Sequence, residues 1–210
     1  MMKRLAKPEG RYNLVVEDAP IPEPAAGEVR LKAVRSLISR GSEMGARYTR
    51  DHAVSPEVMG YCMAGTIDAV GEGVGHFEVG DRVVALSPHA EYSVRRANAD
   101  SPADMSWVVA LPDDVSWDAA PYYPLASGSV TWVDIEEIGP DDTVVILGQG
   151  LVGSLMLQVM KARGNGYIVA VDALDGRCQM AADLGADRVI NAAEEDPVAA
   201  VRKLTNGSGA

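Results

Sequence analysis

Three glycines and one carboxylate are the groups in this chain whose types and spacing point most directly to chemistry. Gly148, Gly150 and Gly153 stand in GQGLVG, directly after the apolar run VVIL, and Asp172 follows 24 residues beyond Gly148 at the end of YIVAVD. A glycine at 148 lets a strand turn sharply, one at 150 admits close approach of a ligand to backbone, and one at 153 lets a helix pack tightly on the strand. Leu151 and Val152 then open the helix with N–H groups that have no intrahelical acceptor, which favours an anion at that end.

The elements around these residues make the pattern specific, since glycines close many strand-to-helix turns that bind nothing. Leu151, Val152, Leu155, Met156, Val159 and Met160 follow the turn at helical spacing. Strand, Gly-rich turn, helix and acid-terminated second strand together read as a dinucleotide-binding βαβ unit. A carboxylate at position 172 would accept the ribose hydroxyls and repel a 2′-phosphate, which favours NAD(H) over NADP(H). Arg177, five residues on, is the group that would instead admit that phosphate; its other reading is a solvated arginine at a helix start.

With 210 residues and 47% hydrophobic content, the chain can bury a core and form one large or two small domains. A formal charge of −11 argues against nucleic acid or an anionic membrane as partner. No apolar run reaches the length of a membrane span and no signal-peptide core follows the first cations, so a cytoplasmic protein is expected. Two cysteines in dissimilar contexts, Cys62 and Cys178, read as free thiols.

The texture changes once along the chain. Short β-rich runs broken by Gly and Pro, EVRLKAV (28–34), AGTIDAV (64–70), DRVVAL (81–86) and AEYSV (90–94), give way after about Trp117 to helices alternating with buried strands. Val130 to Ile138 reads as a helix ending at Gly139-Pro140, and LASGS, which holds Ser127, reads as a flexible turn. Gly80-Asp81 reads as a hairpin turn between Phe77 or Val79 and Val83-Val84. Further on, a helix near Arg177 to Leu184, a strand from Arg188 to Asn191 and a helix about Pro197 to Leu204 are expected.

AVGEGVGHFEVGDRVVAL (69–86), GEVRLKAV, GYCMAGTI, HAEYSV and the Gly-rich βαβ unit fall in an order that resembles the medium-chain dehydrogenase/reductase family. The resemblance runs over essentially the whole chain. It implies an α/β protein with a GroES-like β-rich catalytic domain at 1–125 and, at 126–210, the N-terminal half of a Rossmann domain with a parallel, doubly wound sheet. The implied activity is hydride transfer between NAD(H) and a small alcohol, aldehyde or ketone, with NADP admitted as an alternative cofactor. Ser127 matches a residue that approaches the nicotinamide.

The chain departs from the family's zinc-dependent members at the ligand positions. Arg40, or Ser39 one register earlier, stands in the place of the first cysteine; Gly60-Tyr61-Cys62 replaces Gly-His-Glu; Tyr123 is the match for the third ligand. A cation and two phenols do not make a tetrahedral N/S zinc site, so no catalytic metal is expected. Without zinc, Tyr61 is expected to donate a hydrogen bond to a carbonyl oxygen, Ser42 to relay a proton and Arg40 to add positive charge near a developing alkoxide. The structural alternatives are Tyr61 packed in the cleft wall, Arg40 paired with Glu43 and Ser42 as a helix cap.

Among the remaining groups, Cys62 reads as a buried small residue, His76 as an exposed loop residue, His89 as a strand cap and His52 as a candidate proton relay. The sequence stops at LTNGSGA, where relatives in this family carry on, so a truncated form with one mononucleotide half is expected, with a homodimer only in a longer form. Two other functions compete with a dehydrogenase. One is a catalytically silent dinucleotide-binding fragment; the other is an S-adenosylmethionine-dependent methyltransferase, disfavoured by the leading β-domain and the glycine spacing.

Overall fold

The computed structural model describes residues 1–98 and 108–210, which fall into two units, Met1–Pro124 and Leu125–Ala210. In the first, Met2–Ala6 (β1) and Val15–Ala19 (β2) pair as an antiparallel ribbon. Glu28–Leu37 (β3), Cys62–Val70 (β4), Arg82–Ala85 (β5), Tyr92–Arg96 (β6) and Val108–Ala110 (β7) form an antiparallel sheet in the order β6-β3-β4-β5-β7. Side chains alternate across each strand, and one face supplies Val29, Leu31, Met63, Ile67 and Val83 to a common core. Two register shifts, at Arg30/Leu31 and at Ala33/Arg35, interrupt the pairing of β3 with β4. Such bulges bend a strand and re-aim the chain beyond it. Beyond β3 the chain enters the short helix Arg40–Glu43 (α1), continued by a π-helical turn at Met44–Tyr48.

The hairpin reading around Gly80 needs correction. Phe77 and Val79 lie outside any strand, and β4 reaches β5 through a long loop closed by Gly80 N–H to Ile67 O and Ile67 N–H to Asp81 O. Phe77 instead packs on the sheet core from that loop.

Tyr123–Ile135 (α2) leads into the second unit. This helix starts seven residues before Val130 and absorbs the segment read as a flexible turn, so Ser127 is helical. Gly128 and two serines suggest a loop by composition, but Leu125, Ser129 and Val133 form a buried stripe that outweighs the propensity deficit of about 1 kcal/mol for one glycine. Ser129 Oγ and Thr131 Oγ1 donate back to the carbonyls of Leu125 and Ser127, which removes their competition with the helix.

Thr143–Leu147 (β8), Leu151–Arg163 (α3), Tyr167–Asp172 (β9), Asp175–Asp183 (α4), Arg188–Asn191 (β10) and Pro197–Leu204 (α5) come next in strict alternation. The three strands are parallel in the order β10-β9-β8, the first half of a doubly wound sheet. Ile168, Val169 and Ala170 are fully buried, as a strand covered on both faces requires. Among the described residues, no helix is long and apolar enough to cross a membrane.

Candidate functional site

Several of the residues singled out by sequence gather into two clusters, one in each unit. In the second unit, Gly148 takes φ +86° at the end of β8, a value that a side chain would strain. Gly150 caps α3 in an extended conformation, and a Cβ built on it would meet nothing within 4 Å. At Gly153 the opposite holds: a Cβ would lie 2.0 Å from Gly148 O, so the helix seats directly on the turn. Ser154 N–H is the first to close onto a helix carbonyl, that of Gly150. The N–H groups of Leu151, Val152 and Gly153 therefore begin the helix without intrahelical acceptors. A cleft of about 370 Å³ lies along this turn, lined by Leu147, Gly148, Gly150, Val152, Gly153 and Met156.

Asp172 is 8% exposed, and its carboxylate clamps this turn. Oδ2 accepts from Gln149 N–H at 2.7 Å, and Oδ1 accepts from Ala173 N–H at 2.8 Å and Leu174 N–H at 3.0 Å. Burial alone would raise its pKa, but these N–H groups and the Arg177 guanidinium, 3.5 Å from Oδ2, hold it below the usual carboxylate value. Gln149 lies between the two glycines, wholly buried, with its side-chain N–H on Ile146 O and its Oε1 without a partner. Sequence reasoning passed over Gln149, because nothing in GQGLVG distinguishes a buried amide from an exposed one.

The first unit brings Tyr61 and Ser42 together: Tyr61 Oη donates to Ser42 Oγ at 3.3 Å. Arg40 is exposed, with no hydrogen bond or ion pair to either. The cation over Tyr61 is Arg47, whose guanidinium carbon is 5.7 Å from the ring centroid and whose Nη1 is buried without a partner. The reading that paired Arg40 with Glu43 fails because Glu43 is fully buried and otherwise engaged. Its Oε1 accepts from Ser39 N–H, and its Oε2 is bonded to Tyr48 Oη and lies 2.8 Å from His89 Nε2. Burial would raise this carboxyl; the hydrogen bonds to His89, Tyr48 and Ser39 overcome that and lower it.

His89 is therefore not a strand cap. Its ring joins the two segments that carry Ser42 and Tyr61: Nε2 reaches Glu43, its backbone N–H donates to Met59 O, and the ring packs on Gly60. Gly60 has φ +102°, and a Cβ there would meet the imidazole at 2.7 Å, so glycine is required before Tyr61. Neither Glu43 nor His89 was legible as a site residue, since the sheet joins them across 46 residues of sequence.

The other predicted groups fall elsewhere. His52 is exposed, and its carbonyl accepts from the buried Lys7 Nζ. His76 is exposed with its Nε2 3.1 Å from Ala97 O. Tyr123 opens α2, and Ser127 is half-buried within it. Both cysteines are free thiols; burial, with the charge of Glu43, pushes Cys62 up to about 12.

This arrangement suits a dinucleotide better than it suits zinc. The open space at Gly150, the unpaired N–H groups of α3 and the cleft beside them fit a pyrophosphate. Arg40 (or Ser39), Tyr61 and Tyr123 offer a cation or hydroxyl and two phenols where zinc takes thiolate, imidazole or carboxylate. Among the described residues, no three His, Cys, Asp or Glu side chains are grouped so as to hold a metal.

Residues 26–106 match the alcohol dehydrogenase GroES-like domain family, and residues 152–210 match the zinc-binding dehydrogenase family. The chain belongs to the medium-chain dehydrogenase/reductase superfamily. Within this superfamily it is 26% identical to the L-threonine 3-dehydrogenase of Bacillus subtilis, over 100% of this chain and 67% of the relative. It is 29% identical to an NAD-dependent alcohol dehydrogenase of Sulfurisphaera tokodaii, over 94% of this chain and 66% of the relative. Among solved structures, Escherichia coli quinone oxidoreductase complexed with NADPH superposes with a TM-score of 0.77 at 26% identity, covering 98% of this chain and 63% of that one. The chain thus spans about two thirds of the length of these medium-chain dehydrogenase/reductase relatives. The span matching the zinc-binding dehydrogenase family holds one cysteine, Cys178, and no histidine.

Proposed function

We propose that this chain is the dinucleotide-binding and substrate-polarising part of an oxidoreductase that interconverts a small alcohol and its carbonyl compound without catalytic zinc. The observation that carries the proposal is the open Gly150 at the head of α3, beside a turn clamped by Asp172. Gly148, Gly150 and Gly153 shape the turn, and the N–H groups of Leu151 and Val152 hold the pyrophosphate. Asp172 fixes the turn against β9 and places negative charge where the adenosine ribose would lie. That negative charge favours NAD(H), while the engagement of both Asp172 oxygens and the cation of Arg177 beside them leave NADP(H) as a weaker alternative. The relatives' printed names include both cofactors, which is compatible with a modest preference.

A nicotinamide dinucleotide, when bound, supplies the hydride. The protein's remaining task is to hold a carbonyl oxygen and deliver a proton to it. Tyr61 is the donor with the right chemistry, a phenol whose Oη already rests on Ser42 Oγ. Ser42 is exposed and passes a proton to that phenol from solvent. The Arg47 guanidinium over the Tyr61 ring favours negative charge on the phenol as its proton leaves, whereas the sequence pointed to Arg40 as the cation near the developing alkoxide. Residues 1–125 would serve the substrate and 126–210 the dinucleotide.

NADH oxidation with a panel of aldehydes and ketones tests this reading, with wild type and Tyr61→Phe compared in the presence of a strong chelator. Activity that survives chelation and falls about 10²-fold in Tyr61→Phe is expected. Chelator-sensitive activity would reject the zinc-independent mechanism, and an unchanged kcat in the variant would remove Tyr61 from it.

A further inference from the structure

A second reactive array lies in the first unit. Ser36 is exposed near the end of β3, and its Oγ is 2.9 Å from His89 Nδ1. On the other side of the same ring, Nε2 is 2.8 Å from the buried Glu43 Oε2. An ionised carboxylate only accepts hydrogen bonds, so in the neutral imidazole the ring proton sits on Nε2, facing Glu43. Nδ1 is then left as an acceptor aimed at the Ser36 hydroxyl. Glu43 is held in turn by Ser39 N–H and Tyr48 Oη, so the base cannot rotate away without breaking several bonds.

Ser36 and His89 both face a cavity of about 400 Å³ whose walls also include Val16, Val34, Arg4 and Arg35. Apolar side chains offer contact to a small acyl group; Arg4 and Arg35 in the same walls are paired with Glu17 and Asp118, and Lys3 and Glu91 complete a mixed polar rim. A histidine kept only to brace Gly60 and Glu43 needs no hydroxyl on its open side. A nucleophile, a base within hydrogen-bond reach and a carboxylate orienting that base are the parts of an acyl-transfer site.

We propose that Ser36, His89 and Glu43 form a second catalytic array that hydrolyses small carboxylic esters in this cavity. Ser36 Oγ attacks the ester carbonyl carbon as its proton moves to His89 Nδ1; a C–O bond to Ser36 forms, the ester C–O bond breaks, and the imidazolium returns the proton to the departing alkoxide. Water then attacks the acyl-Ser36 carbonyl, gives one proton to His89, and releases the carboxylic acid as Ser36 recovers that proton. No dinucleotide takes part, so this activity stands or falls separately from hydride transfer.

A fluorophosphonate probe, mapped by mass spectrometry, and p-nitrophenyl acetate hydrolysis without NADH test the array. Labelling at Ser36 is expected, absent in Ser36→Ala and about 10²-fold slower in His89→Asn, with p-nitrophenol release falling in parallel. Ser36→Ala should bind NADH as wild type does. Labelling spread over other residues, or equal hydrolysis by Ser36→Ala, overturns the proposal. If His89→Asn does not fold, Ser36→Cys decides: alkylation at position 36 about tenfold faster than at Cys178 supports an activating base, and equal or slower alkylation rejects one.

Discussion

Gly153→Ala probes the seat of α3 on the turn, and the structure sets its sign against the ordinary expectation. In an unobstructed helix, alanine for glycine gains up to about 1 kcal/mol. At position 153 the new methyl would lie 2.0 Å from Gly148 O and 3.1 Å from Gly148 C, both backbone atoms, with Ile146 Cγ2 at 3.4 Å. Relief to the 3.0 Å that real side chains respect requires α3 and the turn to part by about 1 Å. Overpacking of this kind costs about 1–3 kcal/mol or more, so the net effect is a loss of about 1–2 kcal/mol after the helix gain. Gly176 in α4 is the control, since a Cβ there meets nothing within 4 Å and Gly176→Ala should be neutral or stabilising. For a chain of this size the pair should differ by about 4–8 °C in Tm by calorimetry. NADH affinity should fall in Gly153→Ala alone, because the displaced carbonyl belongs to the turn itself. A Gly153→Ala protein as stable as Gly176→Ala would refute the close seating of the helix.

Glu43 links stability to acid. Its folded pKa is depressed, so its contribution is complete above the unfolded carboxylate value of about 4.3 and is lost as pH falls through the lower folded value. Glu43→Gln should cost about 1–3 kcal/mol at neutral pH and show a shallower loss of Tm on acidification than wild type; parallel curves would contradict the network. The two thiols should separate kinetically. Cys62, wholly buried with its pKa pushed up to about 12, should resist a disulfide reagent in the native state, while half-buried Cys178 reacts slowly; rapid titration of both would be the contrary result.

The second unit was more legible than the first for a physical reason. Its central strand β9 is buried from Ile168 to Asp172 and reads, like Val144 to Leu147 of β8, as an apolar run, so the strand–turn–helix–strand order stood out. Asp196, whose side chain accepts from Val198 and Ala199 N–H, and Pro197 at the first helical position marked the start of α5. The turn at Ser127 was misread because Gly and Ser speak for loops locally, whereas burial of Leu125, Ser129 and Val133 is a tertiary effect. Strand β3 runs to Leu37, three residues past the predicted Val34, because its pairing with β4 continues through a bulge that pattern reading does not see. In the candidate site, Tyr61 and Ser42 were reached by resemblance. The Glu43–His89 pair that holds their segments, and the Arg47 cation above Tyr61, depend on contacts between separate elements and leave no local signature.

The most direct test of dinucleotide binding is an NADH titration of wild type and Gly150→Asp, monitored by fluorescence alongside thermal melting. Gly150 has the extended conformation of a helix cap and open space around it, so the new carboxylate should accept the free N–H groups of α3 and leave stability equal or a few tenths of a kcal/mol higher. The same carboxylate occupies and repels the pyrophosphate position. Saturable NADH binding by wild type, weakened at least about tenfold (about 1.4 kcal/mol) in a variant with undiminished Tm, is the predicted result. Equal binding by both proteins, or none by wild type, would contradict it.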